Sequence, residues 1–150
     1  KRMDSKEFRR IMMELLVKKL GFKKKNNDYY FEEKEVIAII QFQKSGYDNC
    51  TYYINYGFIF KEIAEKPIKI SYTHWHTSCR LAIKVNGEEL HSFNIENNID
   101  TDFLISFENK VTEEILSCLT VDGVKKKLNS NPEFIYSLYI EAKNFLGMRS

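Results

Sequence analysis

Proline and glycine are scarce, at 2 and 6 of 150 residues, which excludes a linker-rich, low-complexity or collagen-like chain. The glycines stand singly, so there is no glycine-rich phosphate loop and no Gly-x-Ser-x-Gly nucleophile elbow. Cysteine stops at 3. Cys50, Cys79 and Cys118 are far apart, which argues against a disulfide framework, and reduced thiols in a cytoplasmic protein are expected. No apolar run approaches the roughly 18–20 residues that cross a bilayer. The first residues pass into a charged amphipathic stretch rather than a secretory apolar region, so no membrane association is expected. A dominant charge is lacking too: 23 Lys and Arg oppose 21 Asp and Glu, and the net +2 is a weak field for steering a polyanion.

What is abundant points to a folded domain. Aromatics reach 14%, carried by 11 Phe, 9 Tyr and one Trp, and favour the wide packed faces of β-structure. Apolar residues at 43% and charged residues at 29% are ordinary for a globule, and the length suits one domain over residues 1–150.

Residues 5–20 read as a helix. Phe8, Ile11, Met12, Leu15, Leu16 and Leu20 form an apolar stripe, Asp4 and Glu7 have capping-box spacing, and Gly21 sits at a left-handed C-cap. Residues 22–95 form a block of strands. Tyr29-Tyr30-Phe31 follows a turn, and 36–43 places Val36, Ala38, Ile40 and Phe42 on one face. The other face carries Ile37 and Ile39 at one end and Gln41 and Gln43 at the other. Residues 51–60 alternate in the same way, and residues 79–85 read as one further strand. Asn86-Gly87 predicts a two-residue hairpin turn that sets Lys84 opposite Glu89 and Ile83 opposite Leu90. Residues 100–147 return to helical spacing, with Asp100 or Thr101 as a cap, a short helix or turn through 121–128, and one last helix opened by Asn131-Pro132 and closed at Gly147. The expected fold is α+β: a single, mostly antiparallel sheet of about five to six strands, packed on one face by the N-terminal helix and two or three C-terminal helices.

Specific residues carry a resemblance. The helix running to Leu20, then Gly21-Phe22-Lys23-Lys24-Lys25 and Tyr29-Tyr30, opens the pattern. Gln41-Phe42-Gln43-Lys44-Ser45, Tyr52-Tyr53-Ile54-Asn55-Tyr56-Gly57 and His74-Trp75-His76 ahead of Arg80-Leu81 continue it. Together they resemble the bacterial family of domains of unknown function numbered 4304, mainly over residues 8–81. That family has no assigned activity, so the resemblance implies a fold and, at most, an immunity-like or regulatory partner role.

Three groups of residues invite a chemical reading. If 74–76 is extended, His74 and His76 share a face and could hold Zn²⁺ or another transition metal, whereas a continuous strand points Cys79 away unless a bulge or turn at Thr77-Ser78 reverses it; the plainer reading is a packed polar strand end. Gln41, Gln43, Tyr53 and Asn55 could line a polar groove, with Arg80 as anion anchor and Trp75 as an aromatic neighbour; the plainer reading is the solvent face of a one-sided sheet. Lys23-Lys24-Lys25 and Lys125-Lys126-Lys127 could clamp phosphates while Tyr29, Tyr30, Tyr47 and Tyr52 stack on bases, but nearby acidic pairs dilute both clusters into a solvated rim. No catalytic acid, base or nucleophile pair accompanies these residues. The expectation is a non-catalytic module that binds another protein through Gln41, Gln43, Tyr53, Asn55, Trp75 and Arg80, without a cofactor. A metal site at His74 and His76 is the alternative, nucleic-acid binding is third, and self-association stays open.

Overall fold

The first helix begins where a carboxylate meets bare backbone. Asp4 accepts the Glu7 N–H at 2.8 Å and opens α1 over Ser5–Met12. The rod continues through Met13–Lys19 in wider π-type turns and ends at Gly21, whose φ of +86° is the left-handed stop. Phe8, Met12 and Leu16 point inward, while Lys19 on the same stripe reaches Glu108 at 2.9 Å. The structure is a computed structural model describing residues 3–148.

The strands follow as β1 (Lys23–Lys25), β2 (Asp28–Glu32), β3 (Val36–Lys44), β4 (Thr51–Phe60), β5 (Cys79–Arg80), β6 (Ile83–Val85), β7 (Glu88–Leu90) and β8 (Phe93–Asn94). The order β1-β2-β3-β4-β5, with β8 also on β4, makes one antiparallel six-stranded sheet. The 79–85 stretch is not one strand. Arg80 pairs with Asn55, the Leu81 N–H bonds Ile54 O at 2.8 Å, and the chain then leaves for a separate β6–β7 hairpin. There Lys84 faces Glu89 and Ile83 faces Leu90 around Asn86 and Gly87, both at positive φ.

Asp100 caps α2 (Thr101–Lys110) by accepting the Phe103 N–H at 2.9 Å, and the rod runs on through Val111–Ile115 and Leu116–Cys118. Thr120 caps α3 (Val121–Ser130). The expected single last helix is split. Pro132–Ser137 is a 3₁₀ stretch, Leu138 and Tyr139 are extended, and α4 covers Ile140–Phe145. Pairing with 76–78 overrides the helical pattern: Ser78 N–H bonds Ser137 O at 3.0 Å and Tyr139 N–H bonds His76 O at 2.9 Å.

The helices bury the face formed by Val36, Ala38 and Ile40 with Tyr52, Ile54, Tyr56, Phe58 and Phe60. Ring contacts knit it together, with Phe8 edge-on to Phe42 at 5.3 Å and Phe60 against Phe145 at 5.4 Å. On the opposite face, Ile37, Ile39 and Ile59 form a second small core under Trp75, Ile68 and Ile70. No helix among the described residues is long and apolar enough to cross a membrane.

Candidate functional site

Strand alternation divides the second sheet face in two. Antiparallel pairing sets Gln41 opposite Asn55 and Gln43 opposite Tyr53, while Ile37 and Ile39 lie opposite Ile59 and Gly57. The segment after β4 crosses the apolar half. Trp75 settles over Gly57 and is only 7% exposed, with its indole N–H donating to the Tyr139 hydroxyl at 3.1 Å. The expectation of a ring presented at Trp75 is therefore corrected: the indole is a lid on the small core. Tyr52 and Tyr56 are buried on the helix side, so Tyr53 is the tyrosine of β4 that belongs to this face.

The polar half remains open, and the five other expected residues meet there. Arg80 donates from Nε to Asn55 Oδ1 at 3.3 Å and from Nη2 to Gln43 Oε1 at 3.2 Å. Its guanidinium carbon lies 4.0 Å from the centre of the Tyr53 ring. Asn55 Nδ2 donates to Gln41 Oε1 at 3.0 Å and to Gln43 Oε1 at 2.9 Å. Arginine can only donate, which fixes the rest. Asn55 turns its oxygen to Arg80 and its NH₂ to the glutamines, and both glutamines answer with oxygen. Each amide oxygen of the cluster is thereby engaged, whereas the glutamine NH₂ groups and the remaining guanidinium N–H groups have no protein acceptor among the described residues. No carboxylate pairs with Arg80 among the described residues. The face offers donors around a held, unpaired cation, an arrangement suited to an anion rich in acceptors.

The two histidines are placed differently from the expectation. Tyr72–His74 is a 3₁₀ turn capped by Ser71 rather than a strand, so His74 and His76 do not share a strand face. The Thr73 hydroxyl takes His74 Nδ1 at 3.0 Å. His76 Nδ1 accepts the Phe60 N–H at 2.9 Å, with its ring stacked on Phe60. A backbone N–H can only donate, so the neutral ring carries its proton on Nε2. A metal-ligating histidine ordinarily needs the reverse, a bare nitrogen for the metal and an N–H donated away. Burial also holds His76 below the usual imidazole range, with Glu141 pulling the other way. Both histidines line a groove of about 610 Å³ with Pro67 and Ile68. Among the described residues no three His, Cys, Asp or Glu groups gather to hold a metal ion.

The basic clusters separate as well. Lys23, Lys24 and Lys25 lie exposed on the edge strand, but Tyr29 and Tyr52, expected to stack on bases, are buried. Lys127 is not rim at all. It is 9% exposed, and its Nζ donates to Tyr56 Oη at 2.7 Å, Glu114 Oε2 at 2.7 Å and Glu114 O at 2.8 Å. This node was missed in the sequence, although Val124, Lys127 and Leu128 have the i, i+3, i+4 spacing of an inward helix face. Burial pushes the Tyr56 phenol far above its usual range, with Cys79 and Glu114 adding to the shift. Burial raises the Cys79 thiol too, against its bond to the Ser137 hydroxyl at 2.8 Å.

No curated protein and no solved structure matches the chain. The family profile described as Domain of unknown function (DUF4304) matches residues 15–121. That span holds β1 to β8, all five residues of the polar cluster and both histidines, and stops before Lys127 and α4. With more than half of its length matched, the chain belongs to the DUF4304 family.

Proposed function

We propose that the chain is a non-catalytic binding module, regulatory or immunity-like in kind, whose β3–β4–β5 face docks a partner protein through a carboxylate of that partner. One observation carries the reading: Arg80 is fixed by two amide oxygens and the Tyr53 ring while its charge has no carboxylate among the described residues. Fixing the fork beforehand lowers the entropy lost on binding, and a planar guanidinium matches a carboxylate by two parallel hydrogen bonds. The flanking glutamine NH₂ groups extend the same preference to further acceptors. Amides and a guanidinium exchange no proton near neutral pH, so Gln41, Gln43, Asn55 and Arg80 suit recognition rather than acid–base chemistry, with the Tyr53 ring backing the guanidinium.

The test is affinity capture with the full chain and three variants. Arg80→Ala removes the cation, Arg80→Lys keeps the charge but loses the fork, and Arg10→Ala alters an exposed arginine of α1. The expected outcome is a partner held by the parent and Arg10→Ala and lost from both Arg80 variants, with unchanged thermal unfolding. A partner held equally by all four proteins, or none held by the parent, overturns the proposal.

A further inference from the structure

A different cavity opens on the other side of the sheet, between α1 and the strands. Its volume is about 210 Å³, below the range of about 300–1,000 Å³ typical of drug-sized ligands, so its occupant is small. Aromatic rings line it. Phe8 and Phe42 meet edge to face at 5.3 Å, Tyr29 lies 5.8 Å from Phe42, and Tyr52 lies 5.1 Å from Phe8. Phe8, Tyr29 and Tyr52 are buried and Phe42 is half-buried, so Phe42 is the ring that leaves most room for a flat body.

The charged groups of the cavity have one sign. Arg9 comes from α1, Lys24 from β1 and Lys44 from the end of β3, and all three are exposed. Lys24 Nζ stands 5.6 Å from the Tyr29 ring centre, and Lys44 Nζ stands 5.9 Å from that of Tyr52. No Asp or Glu lines the cavity, and none of the three cations has a carboxylate partner among the described residues. Three like charges around one small mouth repel one another, and low-dielectric walls focus their field into the opening. An anion relieves the first effect and is drawn by the second. Burial raises the Tyr29 phenol, with the Arg9 charge opposing. The Tyr29 hydroxyl thus stays a neutral donor beside the cations.

We infer that this cavity is a binding site for a small aromatic carboxylic acid, with the ring seated against Phe42 and the carboxylate held by Arg9, Lys24 and Lys44. The site is separate from the polar face: Lys44 and Tyr52 form one cross-strand pair, and the next pair, Gln43 with Tyr53, points to the opposite side of the sheet.

The experiment titrates the full chain with benzoate, acetate and benzyl alcohol, following the Met12 methyl and backbone amides by NMR. Benzoate supplies ring and charge, acetate the charge alone, and benzyl alcohol the ring alone. Benzoate is expected to saturate, shift the Met12 methyl, and bind at least about tenfold more tightly than either fragment, as two cooperating contacts of about 1.4 kcal/mol imply. Lys24→Gln and Lys44→Gln should each weaken benzoate about two- to five-fold, the range for exposed ion pairs. Lys6→Gln should change nothing, and added salt should weaken the parent. Acetate binding as tightly as benzoate marks a nonspecific anion patch, and benzyl alcohol binding as tightly marks an apolar gap; either result overturns the inference. So does benzoate that fails to saturate, or that binds both lysine variants as tightly as the parent.

Discussion

Gly57 sits in the middle of β4 with aromatic residues on both sides in sequence, a place where glycine ordinarily weakens a strand. Its reason is the close approach of another backbone. A Cβ built there would run into the Thr77 carbonyl oxygen and stand 2.5 and 2.6 Å from two carbons of the Trp75 ring. The carbonyl belongs to the 76–78 segment that pairs with 137–139, so it cannot yield without moving that pairing. Gly57→Ala is therefore expected to cost about 1–3 kcal/mol in urea unfolding, the usual range for overpacking. The chain has a single Trp, so its fluorescence reports the same event: the emission should shift to the red as the indole is lifted from its seat. An unchanged spectrum with a loss below about 0.5 kcal/mol, the scale of a neutral surface change, would mean that the segment carrying Trp75 and Thr77 is not seated on Gly57. The burial of Trp75 was hard to read because His74 and His76 flank it with polar character. The readable hint lay in Gly57, whose missing side chain leaves a gap for a ring.

Between elements, Lys127 is the pin. It joins α3 to the carbonyl and carboxylate of Glu114 in the rod after α2, and to the Tyr56 hydroxyl on β4, spending all of its ammonium donors. The ammonium also lies 4.8 Å from the ring centres of Tyr56 and Phe134. Methionine keeps the length of the side chain but leaves the Glu114 carboxylate and the phenol without this partner. The Glu114 side chain is 33% exposed, so water recovers part of the loss, and Lys127→Met is expected to cost about 1–3 kcal/mol rather than the 3–5 of a fully buried pair. Adding Glu114→Gln should return part of that loss, because the stranded charge is then gone. A double variant as unstable as the sum of the singles would contradict the pairing. The run of three lysines concealed this role, since two of them are solvated and their composition outweighed the spacing of the third. The C-terminal break has a similar origin: the 131–147 pattern is helical, but hydrogen bonds to a distant segment take over at Leu138 and Tyr139.

At the scale of the molecule, strand alternation and turn chemistry are local, and they were legible. The hairpin at Asn86-Gly87, and the division of β3 into an apolar and a polar end, follow directly from residue order. The shared face of Gln41, Gln43, Tyr53 and Asn55 was legible for the same reason, whereas the pairing that brings Arg80 beside Asn55 follows the 61–78 segment and was not. The path of 61–78 across the sheet was not legible, since no periodic pattern announces a strap whose hydrogen bonds go to distant partners. That strap also sets the acid response. His76 is held neutral by burial against the Phe60 ring and N–H, with Glu141 opposing, so its folded pKa lies below the unfolded value of about 6.5. In that window the unfolded chain binds more protons, so the contribution is present above about pH 6.5 and is lost as pH falls toward the folded value. Glu114 follows the same sign lower down: burial pushes it up, but Lys127 and Lys110 outweigh burial, and its share is lost only below its ordinary carboxylate range. Asp28 runs the other way, raised by burial against the Tyr72 N–H, so acidification favours its folded form. Urea unfolding between about pH 7.5 and 5.5, above the ordinary carboxylate range, therefore reads the histidine as the difference between the parent and a His76 variant, in which the raised Asp28 carboxyl contributes equally to both. The parent should lose stability across that interval. His76→Gln, which keeps an acceptor for the Phe60 N–H but cannot titrate, should flatten the loss, whereas His91→Gln, at an exposed position, should leave it intact. If His76→Gln follows the same slope as the parent, the strap is not what couples this fold to acid.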